Sequence, residues 1–154
     1  MYIGNKIYSS IMCEQLFKII RKQGVKCQFE STPGVGCQNG TFTIKILLHL
    51  RHNQNLPKWV TFAYLVKAFD TPNHTLLIAI LGKHGAPPRL CLGIKRMYNK
   101  IIVKLIIGKV DISIYFKVGV KQGDSMDPVL FLFLMMAFSE TLEDKWAALR
   151  LSKA

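Results

Sequence analysis

Acidic side chains are scarce in this sequence: 9 Asp and Glu stand against 21 Lys and Arg, a formal net charge of +12 over 154 residues. So lopsided a balance excludes an acidic solvating tail. It favours polyanionic partners, drawn by electrostatic attraction and counterion release, with nucleic acid first among them. Lysines that only solvate a surface would give the same count, so charge alone does not choose between the two. Position sharpens the point. Glu14, Glu30, Asp70 and Asp111 are the acids before Asp124, and Asp127, Glu140, Glu143 and Asp144 follow it, so the basic field belongs to residues 1–121.

Other features are missing too. The four cysteines, Cys13, Cys27, Cys37 and Cys91, form no CxxC pair, and no basic leader with a small-residue cleavage site opens the sequence. The expectation is a reduced, intracellular protein of nucleus or cytoplasm. Cys27, Cys37, His49 and His52 lack the paired spacing of a zinc set and read as structural. The longest apolar run, Val129 to Phe138, falls well short of the ~20 residues that cross a bilayer, so no membrane span is expected. Gly34-Val35-Gly36 has no hydrophobic strand before it and no P-loop lysine after it, which argues against a phosphate cradle.

Half of the residues are hydrophobic and the mean hydropathy is +0.23, which argues for a packed interior in a chain of one-domain length. Ile11, Met12, Leu16, Phe17, Ile19 and Ile20 recur at helical spacing and predict a helix over Ser9–Gln23, stopped by Gly24. Pro33, Gly34, Gly36 and Gly40 mark a loop, and a second helix is expected from Thr41 to about Arg51. Trp59 to Val66 is short, apolar and β-prone between Pro57 and the polar turn Asp70-Thr71-Pro72-Asn73, the profile of a buried strand. Helices follow over His74–Lys83 and, opened by Pro88, through Tyr98. Ile101–Ile107 and Ile112–Val118 read as a hairpin about Gly108-Lys109-Val110-Asp111, and Asp127–Ala148 as a long helix with a buried start. The fold class is helix-rich α/β, more closely α+β.

The stretch Gly119-Val120-Lys121-Gln122-Gly123-Asp124-Ser125-Met126-Asp127-Pro128-Val129-Leu130-Phe131 resembles motif B of the reverse transcriptases of non-LTR (LINE-type) retrotransposons, commonly GVRQGDPLSPLLF. Upstream, Phe62-Ala63-Tyr64-Leu65-Val66-Lys67-Ala68-Phe69-Asp70-Thr71-Pro72-Asn73-His74 is similar to their motif A, F-x-D-x-x-K-A-F-D-x-V-N-H. Between the two, Leu77 to Tyr98 with its Gly85-Ala86-Pro87-Pro88 turn resembles the family's helix, G-x-P, helix, L-Y passage. Gln28 to Cys37 looks like a loosened QFGFRPGRST fingers segment, with Glu30 and Ser31 where the family has Gly and Phe. The likeness covers roughly residues 7–145, strongest at motifs A and B.

The resemblance implies part of a right-hand polymerase fold over residues 1–154. About 7–56 would derive from the fingers and about 57–145 from the palm, with 146–154 a tail. Such palms join nucleotides through two Mg²⁺ ions held by carboxylates. The family's first metal-binding Asp falls at Tyr64, whose neutral phenol cannot replace an anionic ligand for a hard cation. The family's aromatic-x-Asp-Asp hairpin does not occur before Ala154, nor the arginine-bearing strand before the first helix. Asp70 matches the motif's second Asp, which is not the family's metal ligand, and could substitute only through a slip of register that turns the strand face over.

Phe69 sits where the family keeps an aromatic gate against the ribose 2′-OH, and Gln122 and Gly123 where motif B lines the nucleotide and template pocket. An ordinary core aromatic and a helix-entry turn would account for the same residues. Asp127 replaces a small residue of the motif and, at a helix start, could cap free N–H groups. The expectation is a remnant without polymerase activity and without a bound cofactor. Its alternatives are a basic, non-catalytic module that binds RNA or DNA weakly and without sequence preference, or an open reading frame with no selected role. Self-association through an exposed sheet edge at Trp59–Val66 is expected as well.

Overall fold

The computed structural model describes residues 3–23, 28–30, 32, 34–99, 101–108, 110–116, 118–120 and 125–151. They fall into two units, residues 1–23 with 67–154, and residues 24–66. Among the described residues there are five helices and one two-stranded antiparallel sheet, a helix-rich α+β arrangement.

In the first unit, α1 spans Ile3–Gln23, and its buried positions Ser9, Met12, Cys13, Leu16 and Ile20 recur three and four residues apart, the spacing that keeps one helix face inward. Helix α3 (His74–Lys83) starts where the Asn73 carboxamide oxygen accepts from Thr75 N at 2.8 Å and Leu76 N at 3.3 Å. Those two amides have no partner within the helix, so the cap fixes the start. Pro88, at the first position of α4 (Pro88–Tyr98), has no N–H to leave unsatisfied. Helix α5 (Asp127–Leu151) buries Val129, Leu130, Leu132 and Phe133, and residues 141–149 are exposed. Packing of α3 on α4 and α5, and of α1 on α5, closes a core of Leu16, Leu77, Leu81, Ile94, Leu130 and Phe133.

The end of α1 is tied to the end of α3. Gln23 Nε2 donates to the His84 carbonyl, and the buried His84 ring returns an Nδ1–H to Gln23 Oε1 at 2.9 Å. In that tautomer Nε2, which has no partner, is a bare lone pair beside Phe133, and no N–H is stranded.

Strands β1 (Ile101–Ile107) and β2 (Val110–Phe116) form a hairpin in the register Ile101↔Phe116 to Ile107↔Val110. The turn is tighter than the sequence suggests. Gly108 at φ +62° lets the chain reverse within two residues, so Val110 and Asp111 belong to the strand. Lys104 and Asp111 lie 3.9 Å apart across it.

In the second unit, α2 (Cys37–Asn53) starts earlier than expected, at Gly36, whose N–H donates to the Asn39 side chain at 2.9 Å. The strand expected over Trp59–Val66 is not formed: residues 56–65 have no regular structure, and every residue from Arg51 to Lys67 is exposed. β-Prone side chains do not make a strand without a neighbour to take its N–H and C=O groups. The strands that the described residues contain pair with each other. The edge imagined for self-association at this segment is therefore not there. No helix among the described residues is long and apolar enough to cross a membrane.

Candidate functional site

Parts of the two motif-like segments, residues 67–74 of one and 119–120 of the other, meet in the first unit. Lys67, at φ +51°, starts a turn in which Asp70 N donates to Lys67 O at 2.9 Å, and this presents the carbonyls of Phe69 and Pro72. The chain after the hairpin docks on them. Val120 N donates to Phe69 O at 2.8 Å, Gly119 N to Pro72 O at 2.9 Å, and Val118 forms a bridge with Asn73.

Gly119 is buried at φ +88°, and a Cβ built on it would lie 2.9 Å from Asp70 O and 3.1 Å from Asp70 Cα. Glycine thus serves two needs here, a left-handed backbone and an approach too close for a side chain. His74 closes the junction. Its Nε2–H donates to Gly119 O at 2.7 Å, which sets the tautomer of the ring.

From His74 the polar groups run inward. Its ring lies 5.0 Å from that of Tyr98, whose hydroxyl donates to Asp127 Oδ1 at 2.6 Å. Asp127 is 2% exposed. A bond this short satisfies a buried carboxyl oxygen in the first turn of α5. Beside this chain of groups is a cleft of about 240 Å³, lined by His74, Thr75, Ile78, Lys95, Tyr98 and Asn99.

No protein-family model matches the chain, and no solved structure does either.

The residues singled out in the sequence are placed unevenly. Phe69 is half-buried and stacks on Phe131, ring centroids 4.8 Å apart at 33°, so it is anchored as a core aromatic is. Asp70 is exposed at the turn, and Tyr64, 88% exposed, belongs to the second unit. Gln122 and Gly123 lie outside the described residues, as does Cys27. Among the described residues no three His, Cys, Asp or Glu side chains gather, and Tyr64 puts a phenol, not a carboxyl group, at the position matched to a metal ligand in the sequence. Sequence reasoning assigned no role to His74 or Tyr98, whose partners stand 45 and 29 residues away. Their place in the motif A tail and in the L-Y passage was the available signal.

Proposed function

We propose that the chain is a remnant of a non-LTR retrotransposon reverse transcriptase domain, fingers into palm, that does not polymerise and retains weak, sequence-tolerant binding of RNA or DNA. The observation that carries this reading is the junction of the two motif-like segments. Residues 69–74 and 118–120, noted separately in the sequence, are fastened together by Phe69, Pro72, His74 and Gly119. The loss of polymerase activity rests on Tyr64, and the binding on the charge of +12. No acid lies between Glu30 and Asp70, while Lys45, Arg51, Lys58 and Lys67 do.

Primer extension on an RNA template with Mg²⁺ or Mn²⁺, run beside filter binding of the same RNA at about 50 and 200 mM salt, tests the reading. No incorporation and a steep loss of affinity with salt are expected. Template-dependent incorporation that survives Asp70→Ala would sink the non-catalytic assignment, and incorporation lost in that variant would make Asp70 a metal ligand. Affinity unchanged by salt would rule out phosphate-dominated binding.

A further inference from the structure

The second unit contains a cleft whose chemistry is distinct from that of the motif junction. After α2 the chain reverses at Asn55, which takes φ +49°. The reversal is held by Leu56 N donating to Arg51 O and by Arg51 Nη2 donating to Pro57 O, both at 3.0 Å. Residues 58–61 are thereby laid along α2, leaving a cleft of about 340 Å³, at the lower end of the ~300–1,000 Å³ of small-molecule sites. Ile44, Leu47 and Leu48 give it apolar walls, Arg51 and Lys58 put cations on it, and Trp59 stands in it 95% exposed.

We propose that this cleft takes an unpaired base of single-stranded RNA or DNA, stacked on Trp59, with Arg51 and Lys58 on the flanking phosphates. Two observations and the nature of a duplex commit the site to that occupant. An indole open on its faces is a platform that any base can use, and Phe62 and Tyr64, 86% and 88% exposed on the same segment, offer further rings for successive bases. The acid-free stretch from Ser31 to Phe69 gives the cleft one sign of charge, which complements phosphate and repels the same cleft of a second copy. A duplex keeps its base faces stacked inside, so the apolar walls discriminate in favour of single strands. The proposal rests on the nucleic-acid-binding part of the reading above and adds where and in what form the strand is held.

The chain has two tryptophans, so Trp146→Phe leaves Trp59 as the sole indole reporter. In that background, titration with an oligouridylate of about 15 nucleotides is compared with a duplex of equal length and with inorganic polyphosphate. Quenching of Trp59 emission by the oligouridylate alone is expected. Trp59→Ala should weaken single-strand binding about 5- to 150-fold, the span of one base–aromatic stack, and Trp59→Phe should keep most of the affinity. Changing Arg51 and Lys58 together to Gln should flatten the log–log salt dependence by about 1.4, two single-strand phosphate contacts. Far-UV circular dichroism checks that each variant folds.

If the oligouridylate binds with steep salt dependence but Trp59→Ala binds as tightly, the stacking site is refuted while the broader reading stands. If none of the probes binds, both fall. Equal affinity for duplex and single strand with unmoved emission also overturns the site. So does self-association of the free chain that Trp59→Ala abolishes with no response to oligouridylate, since a second copy would then be the occupant.

Discussion

Replacing Gly119 by Ala strikes the junction of the two motif-like segments at its tightest point. An L-residue at φ +88° carries about 1–2 kcal/mol of backbone strain. The added methyl also meets Asp70 O, Cα and C at 2.9, 3.1 and 3.2 Å, all of them backbone, so no side-chain rotation gives relief. Separation of the two segments would relieve the clash but weaken the bonds from Gly119 N to Pro72 O, Val120 N to Phe69 O and His74 Nε2 to Gly119 O, each worth about 0.5–1.5 kcal/mol. Strain plus one or two lost bonds comes to about 1.5–5 kcal/mol, a large part of the ~5–15 kcal/mol that holds a native domain. Urea unfolding followed by far-UV circular dichroism measures it as a lowered midpoint at unchanged slope. Gly82→Ala is the internal control: that glycine is in α3 with no atom within 4 Å of the new methyl, so the exchange should gain about 0.5–1 kcal/mol. A Gly119→Ala variant within about 0.5 kcal/mol of wild type would refute this account of the junction.

Tyr98→Phe keeps the ring beside His74 but removes the hydroxyl from buried Asp127, and should cost about 1–3 kcal/mol in the same urea assay. A loss under about 0.5 kcal/mol would show that bond to be idle. The surface pair Lys83–Glu140, 2.8 Å apart, predicts a pH window. Its hydrogen bond to Lys83 lowers the Glu140 carboxyl below its ordinary 4.5, so that contribution is present above 4.5 and lost as pH falls through the lowered value. The same bond raises Lys83 above 10.5, so its share is present below 10.5 and lost as pH rises further. Glu140→Gln should therefore lower stability slightly near neutrality and converge on wild type at the acid extreme. An undiminished difference at pH 2 would count against the pair.

Local punctuation made α3 and α4 legible from the sequence: the polar turn Asp70-Thr71-Pro72-Asn73 precedes the first and Pro88 opens the second, and both helices have the expected bounds. Helix α1 starts at Ile3 and not at Ser9: Ile3, Ile7 and Ile11 stand four apart and carry the helical period further back, on a face that the fold leaves exposed. The segment from Trp59 to Val66 has the composition of a strand, but composition is silent on whether a partner lies alongside. The hairpin was readable in outline and its turn was not, since Gly108 permits a tighter reversal than the neighbouring residues suggest. At the site, His74 stood out only as a letter in a motif, and Asp127 as a departure from one at a helix start. Their bonds to Gly119 and Tyr98 are long-range, and such pairs follow from the packed fold and not from spacing along the chain.

The first unit is discontinuous: α1 is separated from α3, α4 and α5 by residues 24–66, yet packs on α5 and is tied to His84. Helices α3 and α4 are joined by a short connection and meet early, whereas α1 arrives only after a long loop has closed. Closure entropy grows slowly with length, about 0.6 kcal/mol per doubling, so the insertion costs the native state little but places its burden on the rate. On that ground docking of α1 is the expected late step in assembling this core, with the face of α5 that α1 covers open to water and to other chains until then.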